Sequence, residues 1–543
     1  MSAILIAANS LRESRRKFTA RWFLRNHVLV IGDSGLARRA VSLWSKRNAR
    51  LLHVIPMDRQ DAPEWGSHAI RLPFDTSLAA ATALSRARNV FIDLGTSIGS
   101  LGLACELATA LDEAGTARDR SPAQWTVVSR DISLSDHFVR RLAEMRSGAR
   151  RQGSVPDVYF LDPEVLTARY QTASHPPFLI AERLGHRRIH VLISGFEASG
   201  AALLEAVILS SLTTKLHSPI FTVLCDDSEK QKRIFLSGRT ALAGAVDLVF
   251  LETGVLDAFQ DAATDEARAA RARDEADPVT IIYLTGSSSE DNIRMGLKIE
   301  TIRQRLGRLK CPVFALENDH LSAGFLTAGG SFGPLIKDFS TFDLPDDLLE
   351  RHVCNSDERD RLAKAFHARY VETNASSLSA APWDRLPESF RRANRNAADH
   401  WRAILDILGF DVEGIPPGIV PRLDERNAQE ILANIASGPV EGSAFWDAVR
   451  AEHERWVLER QLDGWVAGSV RDDARQTNPL LVSWKILVRD HRSAADQAAD
   501  QVKALLDYLA AQGDAGFPLR RREVKTIVNL APAGPLPATP VTV

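Results

Sequence analysis

The sequence predicts an α/β protein with two parallel-sheet domains followed by a duplicated, mainly helical module. Three observations predict it. Up to residue 345, short apolar runs rich in β-branched residues alternate with helical periods, the pattern of buried parallel strands under covering helices. That pattern begins near residue 26 and restarts at residue 189. From residue 355 onward the period is helical almost throughout, and the sequence there repeats itself at a constant offset.

The first unit spans 26–165, after an N-terminal segment 1–25. HVLVI (27–31) reads as a strand closed by Gly32, and LARRAVSLWSKRN as the helix after it. LLHVI (51–55), the strand-like AIRLPF, VFIDLG and QWTVVSR continue the sheet, with ATALSRARN as a short helix. The second unit spans 166–345. IHVLISG is a strand, FEASGAALLEAVILSSL a helix, and PIFTVLC a strand ending at Asp226 and Asp227. AVDLVFLE, PVTIIYLTG and CPVFALE supply further strands, and TDEARAARARDEAD a charged, solvent-facing helix. DLPDDLLE (343–350) reads as a transition, and the Pro-rich end, 530–543, as a disordered tail.

Composition narrows the function. At about 100–200 residues per domain, 543 residues hold three to five domains. A net charge of -2 supplies no global field toward nucleic acid or an anionic membrane. The most basic stretch, RRLAEMRSGARRQ (140–152), reads as a solvated helix end, so nucleic acid is not the expected partner. The four cysteines are dispersed with no CxxC pair, which argues against a zinc knuckle or a disulfide scaffold. No apolar run approaches the roughly 20 residues of a membrane span, and the N-terminus lacks the charge-first order of a signal peptide. A cytoplasmic protein without direct membrane insertion is expected.

Both α/β units are Rossmann-like, with altered glycine loops. In IGDSGLA (31–37), Gly32 stands at the tight turn, Ser34 and Ala37 replace the second and third glycines, and Gly35 adds freedom. Asp58 and Asp75 are the candidates for a ribose-binding acid, and Asp75 can equally cap the next helix. The second unit keeps Gly195 and Gly200, places Glu197 where pyrophosphate would approach, and ends its second strand at Asp226. LTGSSSED (284–291) is a Gly/Ser turn without the Gly-Lys-Ser/Thr of a P-loop. Glu317, Asp319 and His320 in LENDH form a weak acid–base or metal cluster, or simply a polar loop. No GxSxG, HExxH or kinase signature is present, so neither a catalytic set nor a metal site is expected.

The helical third is a duplication. Trp383, Leu386 and Asp399 match Trp484, Leu487 and Asp500 at an offset of 101, and Ala397-Ala398 match Ala498-Ala499. Upstream, FHARY (366–370) matches EHERW (452–456), and the second copy carries about fifteen extra residues that include GWVAGSVRDD. The repeats resemble the ryanodine-receptor (RyR) domain. The second copy, 440–515, carries His453 and Trp456, the Gly464-Trp465 turn, Asn478-Pro479, Leu480 and Trp484. The first, 355–415, carries His367, Tyr370, Trp383, Leu386-Pro387, and Asn394-Arg395 in RRANRNAADHW, but lacks the Gly-Trp turn.

The resemblance implies a site for a planar, charged small molecule, with rings stacking on a base and arginine pairing with phosphate. The candidates are His453, Trp456, Trp465, Arg471 and Trp484 in one copy, and His367, Tyr370, Trp383, Asn394 and Arg395 in the other. The same aromatics at helical spacing also suit a core. The α/β units are similar to the N-terminal Rossmann domains of TrkA/RCK potassium-transport regulators in HVLVIGDSGLARRAV, IHVLISGFEASGAALLEAV and RLPFDTSLAAATALSRARNVFI. That resemblance implies NAD or an adenine nucleotide as cofactor, homo-oligomerisation, and a separate effector or membrane-protein partner.

The expectation is a non-enzymatic sensor of a nucleotide or nucleotide-derived signal, in bacterial defence or stress signalling. Two alternatives stand beside it: a regulatory subunit of a potassium transporter or channel, and a nucleotide- or NAD-dependent enzyme with a degenerate Rossmann site.

Overall fold

The computed structural model describes residues 24–56, 69–75, 77–113, 123–148, 156–260, 262–317, 338–355, 359–373, 380–417, 419–433, 442–512 and 517–522, with isolated positions outside these ranges. The first sheet contains β1 (His27–Ile31), β2 (Leu51–Pro56), β3 (Ala69–Leu72), β4 (Ala87–Ile92), β5 (Gln124–Val128) and β6 (Asp157–Leu161). The second contains β7 (Arg188–Ser194), β8 (His217–Leu224), β9 (Asp247–Leu251), β10 (Ile281–Leu284), β11 (Val313–Leu316) and β12 (Phe339–Phe342). The strand orders are β3-β2-β1-β4-β5-β6 and β12-β11-β10-β7-β8-β9, every pairing parallel. Counted from its own first strand, each sheet reads 3-2-1-4-5-6, the Rossmann order, with its switch point between strands one and four.

The strand sequences explain this burial. Every residue of β1 and of β10 is buried, as continuous apolar runs require in a sheet covered on both faces. Covering helices in the first unit include α1 (Gly35–Lys46), α2 (Ser97–Glu113) and α3 (Ile132–Gly148). Next come α4 (Pro163–Ser174), which packs on α5 (Ala198–Ser210) of the second unit, and α6 (Ser289–Leu306). The charged segment TDEARAARARDEAD is a helix over Asp265–Ala276, capped by Thr264.

Three local expectations change. The stretch ATALSRARN is a short helix at Ser77–Ala81, a 3-10 turn at Leu84–Arg86, and then the start of β4. Strands β6 and β12 join the sheets although no long apolar run marks them. DLPDDLLE is no mere transition: it opens α7 (Asp346–Cys354). Leu344, Leu348, Leu349 and Val353 place their side chains among Ala40, Leu43 and Trp44 of α1. Arg39–Asp346 at 2.8 Å and Arg47–Glu350 at 2.6 Å border that contact. A helix that follows the second sheet therefore completes the core of the first domain.

The helical module includes α8 (Arg361–Thr373), α9 (Glu388–Asp399), α10 (Trp401–Ile407), α11 (Ala444–Leu462), α12 (Trp484–Asp490) and α13 (Arg492–Ala510), a further helix Glu425–Ala433 between the copies, and three two-residue strand pairs. One contiguous apolar core runs from the second sheet through both copies. Among the described residues, no helix is long and apolar enough to cross a membrane.

Candidate functional site

The two copies build the same local arrangement. His367 Nε2 lies 2.7 Å from the Ala381 carbonyl, and His453 Nε2 lies 2.8 Å from the Val482 carbonyl. Ala381 and Val482 are again 101 residues apart. The His367 ring centre is 5.9 Å from that of Trp383, and His453 is 5.9 Å from Trp484. A carbonyl only accepts, so Nε2 donates in both copies, which leaves Nδ1 as an acceptor in the neutral ring. Burial lowers the pKa of His453 and favours that neutral form.

Both histidines face one cavity of about 370 Å³ between the copies. It brings together His367, Tyr370 and Asn394 of the first copy with His453, Trp456, Trp465 and Arg471 of the second. Space is left by small side chains at matching places, Ala393 and Ala397 on α9 and Ala494 and Ala498 on α13. Arg471 crosses the seam to hydrogen-bond Tyr370 and holds Asp473 through Nε at 3.0 Å; the Asp473 bond chiefly raises its pKa.

Trp465 owes its place to the end of α11. Trp465 N–H donates to the Arg460 carbonyl at 2.8 Å, and Gly464 N–H to that of Gln461 at 3.1 Å, the Schellman pattern. Gly464 has φ +87°, and a β-carbon there would lie 2.8 Å from the Gly238 carbonyl of the second α/β unit. Only glycine fits that turn without strain.

Three candidates lie elsewhere. Trp383 and Trp484 pack, partly buried, on the core and brace the two histidines. Arg395 turns toward the first α/β unit, where it pairs with Asp360 at 2.9 Å and with Glu388, beneath the Tyr159 ring. On the same face of α9, Arg391 donates to the Val158 carbonyl of β6 at 3.0 Å. That face is spent on domain packing.

The cavity also has a charged wall that sequence reasoning missed. Arg455, 2% exposed, reaches Glu452 at 2.9 Å and Glu459 at 3.0 Å. Burial opposes ionisation of Glu452, but Arg455 and then His400 outweigh it and hold its pKa down to about 2. His400 Nδ1 lies 2.8 Å from Glu452, and its Nε2 3.1 Å from the Leu212 carbonyl of the second α/β unit. Arg392 joins Asp463, next to the Gly-Trp turn, to Glu205 on α5. The only sequence signal was the spacing of Glu452, Arg455 and Glu459, which reads equally as surface helix pairs.

The α/β crevices differ from each other. Gly32 has φ +127°, and a β-carbon there would sit 1.8 Å from the Asp93 carbonyl. Ser34 caps α1 by accepting from Ala37 N–H at 2.9 Å, and its hydroxyl donates to the Asp93 carboxylate. The first switch point thus holds a buried carboxylate and a self-capped helix. Asp75 accepts from Ser77 N–H at 2.8 Å, a turn-capping role.

In the second crevice Gly195 has φ +87°, and a β-carbon at Gly200 would lie 2.9 Å from the Gly195 carbonyl. Glu197 begins α5 without a side-chain cap, and Asp226 is exposed just beyond β8. Gly35 and Glu317 line a separate cavity of about 450 Å³ between the two α/β units. Asp58, Asp319 and His320 lie outside the described residues. Among the described residues no group of three or more metal-ligating side chains assembles.

Residues 448–511, within the second copy, match the RyR domain. No curated protein matches the sequence. Similar solved structures include GsuK bound to ADP, at 15% identity over 59% of this chain and 66% of that chain, with a TM-score of 0.34. The GsuK channel bound to NAD is 13% identical over 61% of this chain and 65% of that one, TM-score 0.36. The dipicolinate synthase A chain from Bacillus subtilis is 12% identical over 61% and 92%, TM-score 0.20. The chain spans just under two thirds of the GsuK chains. The Rossmann assignment of both units stands on their own strand order.

Proposed function

We propose that this protein is a ligand-responsive regulator whose two RyR-like copies close together on one planar, nucleotide-like small molecule. The observation that carries the reading is the shared cavity, to which equivalent His and aromatic positions of both copies contribute. Its volume falls in the usual range of about 300–1,000 Å³ for small-molecule sites. Its walls combine rings for stacking with polar groups for orientation. A molecule held by both copies favours the arrangement in which they are closed, and so shifts the population toward it. His400 and Arg392 carry that arrangement to the second α/β unit.

The test is native mass spectrometry and calorimetry on the whole chain with NAD(H), ATP, ADP and cyclic nucleotides. ADP and NAD, bound in the GsuK structures, belong in that panel. Binding that Trp456→Ala removes supports the reading; no binding across the panel overturns it. Co-purification from native cells distinguishes a cytoplasmic effector from a membrane transporter as the output partner.

A second reading places a dinucleotide in the second α/β crevice, favoured by Asp226 at the end of β8 and by the uncapped start of α5. NAD binding weakened by Asp226→Ala but not by Trp456→Ala would select it.

A further inference from the structure

The duplication left one pair of aspartates in two different situations. Asp399 and Asp500 occupy matching positions of the two copies. Asp399 is engaged: Arg169 of α4 holds it through two hydrogen bonds, of 2.5 and 3.0 Å. Asp500 lines the shared cavity and, among the described residues, has no hydrogen-bond or ion-pair partner. Gln497 and Gln501 flank it on α13 and line the same space, also without a side-chain hydrogen-bond partner among the described residues.

Three arginines of that cavity each have a carboxylate partner. Arg455 is shared by Glu452 and Glu459, Arg460 faces Asp463, and Arg471 holds Asp473. The unspent polar capacity includes a carboxylate acceptor, Asp500, with the His453 Nδ1 lone pair on a neighbouring wall.

A carboxylate beside aromatic rings selects among planar ligands by their donors. It can accept two parallel N–H bonds, and only a ring edge carrying two adjacent donors supplies them. Guanine has such an edge, in its N1–H and its N2 amino group. Adenine presents a bare N1 lone pair beside its amino group, and that lone pair would face the carboxylate unpaired. Resting on the nucleotide reading of this cavity, we infer that Asp500 reads the base and that the ligand is a guanine nucleotide rather than an adenine one. The base stacks against the aromatic wall that includes Trp456, with N1–H and the N2 amino group donating to the two Asp500 oxygens.

The test titrates the full chain with GDP, IDP and ADP by calorimetry, for the wild type, Asp500→Asn, Asp500→Ala and Trp456→Ala. Expected is GDP binding about ten- to a hundredfold tighter than ADP, the discrimination given by a charge-assisted hydrogen bond. IDP, which lacks the amino group, falls between them. Asp500→Asn and Asp500→Ala weaken GDP by at least about tenfold and leave ADP unchanged, so the preference disappears. Asp500 is exposed, so both variants keep the wild-type melting temperature. ADP binding as tightly as GDP, and lost in Trp456→Ala, would overturn base reading by Asp500 while sparing the cavity as a nucleotide site. Failure of all three diphosphates to bind would overturn base reading by Asp500; the cavity as a nucleotide site falls only if the wider panel also fails to bind.

Discussion

Arg471 and Tyr370 hydrogen-bond across the seam between the two helical copies, joining residues that lie 101 positions apart in the chain. One belongs to the loop that only the second copy has, the other to the opening helix of the first. The second copy's insertion therefore serves as a wall for a cavity that the first copy half-builds.

Arg471→Ala is expected to weaken an anionic ligand by about tenfold or more, the value of a lost charge-assisted hydrogen bond. The Arg471 side chain is about half exposed, so the folded state should change by no more than about 0.5 kcal/mol. Calorimetry for binding and thermal denaturation for folding measure the two effects separately.

The tryptophans should divide by role. Trp456 lines the cavity, whereas Trp484 packs on the core and beside His453. Trp456→Ala is expected to cost about 1–3 kcal/mol of ligand binding, the worth of one base stack. Trp484→Ala should instead cost about 2 kcal/mol of stability, less than a fully buried ring. Equal losses of affinity in the two variants would contradict this division.

Removing the buried cation should be severe. Arg455→Met leaves Glu452 and Glu459 facing each other in a water-poor site, at a cost of about 3–5 kcal/mol in urea unfolding. Replacing both carboxylates as well, with Glu452→Gln and Glu459→Gln, should recover most of that loss. If the single variant unfolds like the wild type, the wall is more hydrated than its burial implies.

Acid should destabilise the fold from near pH 6.5 downward. Burial lowers the pKa of His453, of His190 to about 4 and of His352 to about 3. Each lowered value means that the unfolded chain binds the proton more readily than the folded one. The stability these neutral rings contribute is present above the unfolded value and is lost as pH falls toward 4 and then 3. Melting temperatures recorded from pH 7.5 to 4.5 should fall continuously below about 6.5.

Much of the architecture was legible because the strands are apolar throughout. HVLVI and IHVLISG can serve only in a doubly covered sheet. β12 was not legible: it is a half-exposed edge strand, FSTF, with no apolar run to announce it. β6 hides similarly in DVYFL, which begins with an exposed aspartate. At the site, the His and aromatic pairs were legible because duplication printed them twice. Their convergence on one cavity is a matter of packing, and so is the diversion of Arg395 to Asp360. The spacing of Arg395 matches that of a ligand contact, and only the direction of its helix face separates the two roles. The Glu452–Arg455–Glu459 wall was hidden because identical spacing is common on wet helix surfaces.

The return of α7 onto α1 bears on how the molecule is made. During synthesis the first sheet emerges before the second, but the apolar stripe of Ala40, Leu43 and Trp44 waits for Leu348, Leu349 and Val353. About 180 residues of the second α/β unit must leave the ribosome before that stripe is covered. The first α/β unit is thus begun before the second and finished after it, and a nascent chain halted before residue 345 would present a sticky surface to whatever chaperone is nearest.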